Sequence, residues 1–238
     1  MESNQGYQAV ADAGETFRTA PRSSMFRANM FSLECCGVLG LYGWLLLSPS
    51  ILWPGHAAKD ALRCQLLFAL GVVYMLRLNL MARWLLPREL AMEELTVVIA
   101  WILCILLSYT AGALSKEGSI SSGVVALSIL LYCFGSWLNT WSELQRKWWK
   151  LKPENKGHCY TLGLFALSRN INYFGDVLLF LGWAVATGCW WNLWAPLVMA
   201  ASFYFYHIPD KEAYLSQRYK AEWPEYSAST KAFVPYVC

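Results

Sequence analysis

The sequence predicts an all-α fold, a polytopic transmembrane bundle of about six spans. Three observations carry this. Hydrophobic residues make up 57% of the 238 and charged residues 15%, with a mean hydropathy of +0.33; an ordinary soluble domain carries about a quarter charged residues. The apolar runs are continuous rather than alternating, and in a bilayer this favours helices, which satisfy their own backbone groups. Two runs, Leu95–Leu114 and Gly118–Trp141, contain no Asp, Glu, Lys or Arg. Each reaches the ~20 residues needed to cross a ~30 Å hydrocarbon core.

The elements follow in order. Residues 1–29 are polar and read as a disordered tail; Glu2, Asp12 and Glu15 argue against a transit peptide, and no apolar stretch suits a signal peptide. Residues 30–238 read as a single membrane domain. Met30–Trp53 is a first span, interrupted only by Glu34, and Ala61–Leu86 a second that contains Arg63 and Arg77. The two uncharged runs supply the third and fourth. Val177–Pro209 is 33 residues without a full charge; as one helix it would measure about 50 Å, too long for the bilayer. Gly188, Asn192 and Pro196 offer a turn, giving spans near 171–187 and 190–208.

Basic residues test this count. Six spans place 15 Lys and Arg on the side of the two tails and the long 143–172 loop, against 3 on the other, Lys59, Arg63 and Lys116. Positive loops stay cytoplasmic, so both termini are expected there. Trp148, Trp149, Trp190 and Trp191 fit interfacial anchors. The net charge of +3 gives no nucleic-acid signal. The eight cysteines show no metal-ligand spacing and read mostly as small apolar residues, so no metal is expected.

Polar groups within or at the edge of spans are costly, which makes them site candidates. Asn139, Glu143, Arg146 and Lys150 recur at i, i+4, i+7 and i+11, one helical stripe suited to a long ligand with phosphates and an amide, or a snorkelling helix end. Arg169, Asn172 and Asp176 fall at i, i+3 and i+7, suiting either a phosphate site near a helix N-terminus or a cap with an Arg169–Asp176 contact. Tyr74 and Arg77 lie one turn apart, as a proton donor beside a cation or as a packed tyrosine with a headgroup-reaching arginine.

From Asn139 to Cys238 the chain resembles the C-terminal region of steroid 5-alpha-reductase-like membrane reductases, including their sterol-reductase and DUF1295 branches. The matching elements are Asn139 with Glu143, Lys152-Pro153-Glu154, Gly163-Leu164-Phe165, Arg169-x-x-Asn172-Tyr173-x-Gly175-Asp176, and a tail with Tyr219, Trp223, Tyr226 and Phe233-Val234-Pro235. The resemblance implies an NADPH site formed by Asn139, Glu143, Arg146, Lys150, Arg169, Asn172, Tyr173, Asp176, Arg218 and Tyr226. It implies hydride transfer to a carbon–carbon double bond of a lipid-like substrate, with Tyr74 and Arg77 polarising the carbonyl. The expected membrane is the endoplasmic reticulum, with mitochondrial or plastid membranes as alternatives.

The chain departs from the pattern in three places. Asn170-Ile171 replaces the usual His-Pro, no acidic helper for the tyrosine is read between Ile51 and Ala69, and Asp210 stands where the tail expects a base, with His207 the nearest substitute. Two other readings therefore stand beside the reductase: an S-adenosylmethionine-dependent membrane methyltransferase, which shares this architecture, and a non-catalytic membrane subunit.

Overall fold

The computed structural model describes residues 22–47, 60–85 and 92–238. The expectations for residues 1–21, and for the end of the first span beyond Leu47, lie outside the described residues. Eight α-helices are described: α1 (Arg22–Leu47), α2 (Ala61–Leu80), α3 (Met92–Leu114), α4 (Ser122–Lys150), α5 (Ile171–Ala186), α6 (Trp194–Ser202), α7 (Ile208–Arg218) and α8 (Trp223–Ser229). No strand occurs among the described residues. The bundle is all-α, as the apolar runs require.

Among the described residues, four helical stretches are long and apolar enough to cross a membrane: Asn29–Leu46, Ala61–Leu85, Thr96–Leu114 and Ser122–Lys150. Helix α5 is apolar but shorter. Leu33, Leu76, Val97, Leu130 and Leu197 are each more than 60% exposed, which in water would form interaction or aggregation patches and in lipid is the ordinary outer face. This is an integral membrane protein.

Helix α1 begins at Arg22 rather than at Met30, because no Gly or Pro interrupts 22–36. The turn anticipated in the long uncharged run is present. Helix α5 ends at Ala186, Gly188 takes φ +68°, and a 3-10 turn over Trp190–Leu193 leads into α6. Pro209 does not end the helical run. It lacks an N–H and crowds the carbonyl four residues back. A π-helical segment, Phe203–His207, absorbs it, with the Ile208 N–H donating to Phe203 O, and α7 continues with Pro209 in its first turn.

The described residues form two compact units, one running to Val125 and including Trp183–Asn192, the other comprising Ala126–Gly182 and Leu193–Cys238. In the first unit α1 packs on α2 and α3. Its core centres on Trp183, fully buried, with the rings of Tyr74, Tyr109 and Tyr42 at 5.5, 5.7 and 6.2 Å. The start of α2 is clamped by Asp60 and Arg63, both buried. Asp60 accepts from the backbone N–H of Arg63 (3.3 Å) and of Ile120 (2.6 Å). Arg63 pairs with Asp60 at 3.4 Å and donates to the carbonyls of Ala113, Lys116 and Gly118.

In the second unit α4 and α5 meet backbone to backbone. The buried face of α4 runs through Ser128, Tyr132, Gly135, Asn139 and Ser142, spaced three or four apart as a helix face demands. A Cβ on Gly175 would stand 2.7 Å from both Asn139 N and Gly135 O, and on Gly182 2.7 Å from Ser128 O. Only glycine allows that approach. Ser128 Oγ donates to Gly182 O at 2.8 Å, tying the helices midway.

Candidate functional site

That close contact positions the polar end of α4. Asn139, buried, donates through Nδ2 to Asn172 O at 3.0 Å, where α5 begins. One turn on, Glu143 accepts from Asn172 Nδ2 at 2.9 Å and from Arg146 Nη2. Since the Asn172 amide nitrogen is fixed on a carboxylate, its Oδ1 points elsewhere, and this buried atom has no hydrogen-bond partner. A buried acceptor left open costs about 1–3 kcal/mol unless something fills it.

Beside this network lies a concentration of cations. Lys211, half-buried on α7, sits with its Nζ 4.8 Å from the Tyr173 ring centroid. The same ring stacks on Phe203 at 4.5 Å with a 9° interplanar angle. Burial, and next the Arg146 guanidinium, push the Lys211 ammonium down to about 8, with Glu143 and Glu212 acting against them. Further along α4, Lys150 donates to Tyr219 Oη at 3.0 Å and to the His158 carbonyl. Arg218, exposed, donates to Tyr214 Oη at 2.9 Å and lies 5.7 Å from the Tyr219 ring. Positive charge thus exceeds negative here, and like charges held together favour a bound anion.

Not every candidate joins this group in the same way. Arg169 precedes α5 instead of extending its face, so the expected register with Asp176 does not form. Its guanidinium is taken by Glu212, at 2.8 and 3.0 Å, and by the carbonyls of Ser227 and Thr230. Asp176 is half-buried on α5, one turn beyond Asn172. Tyr226 is buried, donates to Phe165 O at 2.7 Å, and has its phenol pushed up by burial. It holds the 3-10 turn over Gly163–Ala166. The Gln145 side chain holds the same turn through Leu164 N at 3.1 Å.

Spacing alone missed Lys211 and Glu212. Lys211 is the residue after Asp210, and what brings it to Arg146 is the non-local fold of α7. His158 and Glu222 were missed too: Glu222 accepts from Cys159 N at 2.6 Å and pairs with His158 Nδ1 at 2.5 Å. The first of these bonds, ahead of the second, holds the Glu222 carboxyl below its usual range.

Tyr74 and Arg77 lie in the first unit on α2. Tyr74 is buried against Trp183, and the Arg77 guanidinium carbon stands 5.6 Å from its ring centroid. Asp60 is the sole acid between Ile51 and Ala69; its carboxylate caps α2 and pairs with Arg63.

The model of the DUF1295 family, described as a protein of unknown function, matches residues 79–230. The chain belongs to that family. The match takes in every second-unit candidate and begins after Arg77. Among curated proteins, the chain is similar to Steroid 5-alpha-reductase DET2 of Arabidopsis thaliana, 29% identical over 114 residues, 47% of this chain and 41% of that protein. It is also similar to Probable O-methyltransferase ustE of Ustilaginoidea virens, 34% identical over 88 residues, 36% of this chain and 31% of that protein. The chain therefore aligns with less than half the length of either relative.

Proposed function

We propose that this DUF1295 protein is a membrane reductase that binds NADPH at the second-unit site and reduces a carbon–carbon double bond conjugated to a carbonyl in a steroid, sterol or other lipid-like substrate. The observation that carries the reading is the pairing of excess cations with an open amide acceptor. Lys211 and Arg146 are held together with Glu143 as the near counter-charge, Glu212 being engaged by Arg169, and Asn172 Oδ1 is buried and unfilled. A phosphorylated dinucleotide offers what that donor set lacks, phosphate oxygens for the cations and a carboxamide N–H for the acceptor. The similarity to a steroid 5-alpha-reductase points the same way.

When bound, the cofactor supplies a hydride equivalent. The chain's own residues do the rest. Arg146 and Lys211 hold phosphate charge, with Lys150 and Arg218 at the outer edge. Asn139 sets the start of α5 and Glu143 fixes the Asn172 amide, so Asn172 Oδ1 is presented in one orientation. Tyr173 gives a ring platform already stacked on Phe203. Tyr74 donates a proton at the substrate oxygen, and Arg77, one turn away, favours the negative charge that develops there. The roles of these last two rest on the family resemblance. Six crossings with both termini cytoplasmic belong to the same proposal and are supported by the 15-to-3 distribution of basic residues; the endoplasmic reticulum is what the family resemblance implies.

The similarity to an O-methyltransferase supports a second reading, in which the cations and amide take S-adenosylmethionine. Thermal unfolding of the purified protein separates the two, because a ligand that binds only the folded state raises its midpoint. NADPH is expected to raise it and S-adenosylmethionine to leave it unchanged, with Asn172→Ala and Lys211→Ala removing the response. The opposite pattern overturns the reductase, and no response to either favours a non-catalytic subunit. Cysteines introduced at positions 59 and 116 are expected to label from the lumenal side.

A further inference from the structure

Lys211 has no local reason to stand where it does. Helix α7 follows a π-helical segment and Pro209, and a π insertion shifts the azimuth of everything after it relative to a continuous α-helix. Its rotation has to be set from outside. The next residue supplies the contact: Glu212 Oε1 accepts from Arg169 Nε at 2.8 Å and Oε2 from Arg169 Nη2 at 3.0 Å, a two-point fork that fixes direction as well as distance.

Arg169 is itself tightly held. Its Nη1 donates to Ser227 O at 2.8 Å and to Thr230 O, so four of its five N–H groups are used within the chain. Its guanidinium carbon lies 5.8 Å from the Trp223 ring centroid. The backbone on either side is bolted down as well. Arg169 N donates to Lys231 O at 2.9 Å, Asn170 Nδ2 to Ala232 O at 2.8 Å and Ser168 Oγ to Phe233 O at 2.7 Å. Three consecutive residues thus lock the 227–233 segment and α7 to the start of α5.

We infer that Arg169 and Glu212 are a positioning pair, which sets α7 so that the Lys211 ammonium meets Arg146 and Tyr173, and that Arg169 itself touches no ligand phosphate. The consequence for cofactor affinity rests on the NADPH reading above; the positioning does not. The groups facing Lys211 are Arg146, Glu143, Glu212, Cys159 and the Tyr173 ring. Losing the fork loosens the two influences that hold the ammonium down, burial and Arg146.

The test uses the purified full-length protein with Arg169→Gln, which leaves the Glu212 charge in place, and Arg169→Lys as the conservative variant. In the apo protein, the pH dependence of Lys211 acylation, read by mass spectrometry, is expected to move up from about 8 in Arg169→Gln and part of the way back in Arg169→Lys. NADPH affinity is expected to fall about tenfold in Arg169→Gln and no further when the same change is made in a Lys211→Ala background, the non-additivity that marks residues acting as one. Should Arg169→Gln fail to fold, Glu212→Gln in the same two backgrounds gives the same affinity comparison. An unchanged Lys211 profile, or additive losses, overturns the inference and returns Arg169 to direct phosphate contact. If the wild type binds no NADPH, the cofactor reading fails, and the apo acylation profile decides the positioning pair alone.

Discussion

Two acid–arginine pairs with the same spacing, Asp60/Arg63 and Glu143/Arg146, occupy the two units of this molecule and do different things. Both have the acid three residues before the arginine. In the first unit, side-chain exposure is 6% on each partner, and backbone groups meet both Asp60 oxygens and the Arg63 Nη1 and Nη2 donors, leaving only the buried Arg63 Nε open. That is a closed structure, joining the start of α2 to the segment after α3. In the second unit the Arg146 side chain is 40% exposed and Glu143 11%, a second cation crowds the pair, and the amide joined to the acid keeps an open oxygen. Spacing does not separate a clamp from a site. The balance of charge, the exposure of the arginine and an open acceptor beside it do.

The comparison predicts opposite outcomes for the two arginines, and these are the largest effects. Arg63→Ala leaves a buried carboxylate without its cation and strips donors from three carbonyls, a loss on the order of 3 kcal/mol or more. A steep fall in the thermal midpoint is expected, with NADPH response retained by whatever protein folds. Arg146→Ala removes a partly exposed pair, for which about 1 kcal/mol or less is expected, while NADPH affinity falls about ten- to hundredfold. Equal stability losses in the two variants would erase the distinction.

Tyr74 sharpens it from the other side, since it is buried like a clamp residue and proposed to act like a site residue. Removing a positioned acid costs about 10²–10⁴-fold. Tyr74→Phe keeps the ring against Trp183, so the midpoint and NADPH binding should hold while turnover of an enone drops by that order. Wild-type turnover in Tyr74→Phe would make Tyr74 a packing residue and leave the proton to another group or to water.

These contrasts also mark what the sequence could convey. The uncharged runs at 95–114 and 118–141, and the turn at Gly188, were legible because hydrophobic length and a glycine are local properties. So was the stripe from Asn139 to Lys150, since α4 runs unbroken through it. The register of Arg169 with Asp176 was not, because it assumed a helix that begins only at Ile171. By sequence Lys211 is one of four basic residues in the C-terminal tail. Its setting comes from a π-helical segment that no periodicity announces, from Arg146, 65 positions away, and from the neighbouring Glu212, which Arg169 holds from 43 positions away.

The smallest expected effect is the most specific to the second unit, and it has a sign on each of two measurements. The Lys211 ammonium is pushed down to about 8 in the folded protein from 10.5, by burial and then by Arg146. Between those values the unfolded chain binds the proton that the folded protein releases, so apo stability rises with pH across that window through this group and is flat in it below about 8. Affinity runs the other way. A phosphate beside the amine favours the charged form, so binding above about 8 requires proton uptake and weakens with rising pH, at most tenfold per unit. Cys159, which burial raises to about 11, lies above the window. Lys211→Arg keeps the charge throughout and should retain affinity while flattening both slopes; Lys211→Met should flatten both and lose affinity. A clamp such as Asp60/Arg63, whose side chains are taken up within the first unit, predicts no change in ligand affinity over this range. If the slopes persist in Lys211→Arg, the titrating group lies elsewhere, and the crowding of Lys211 against Arg146 is then no part of an anion site.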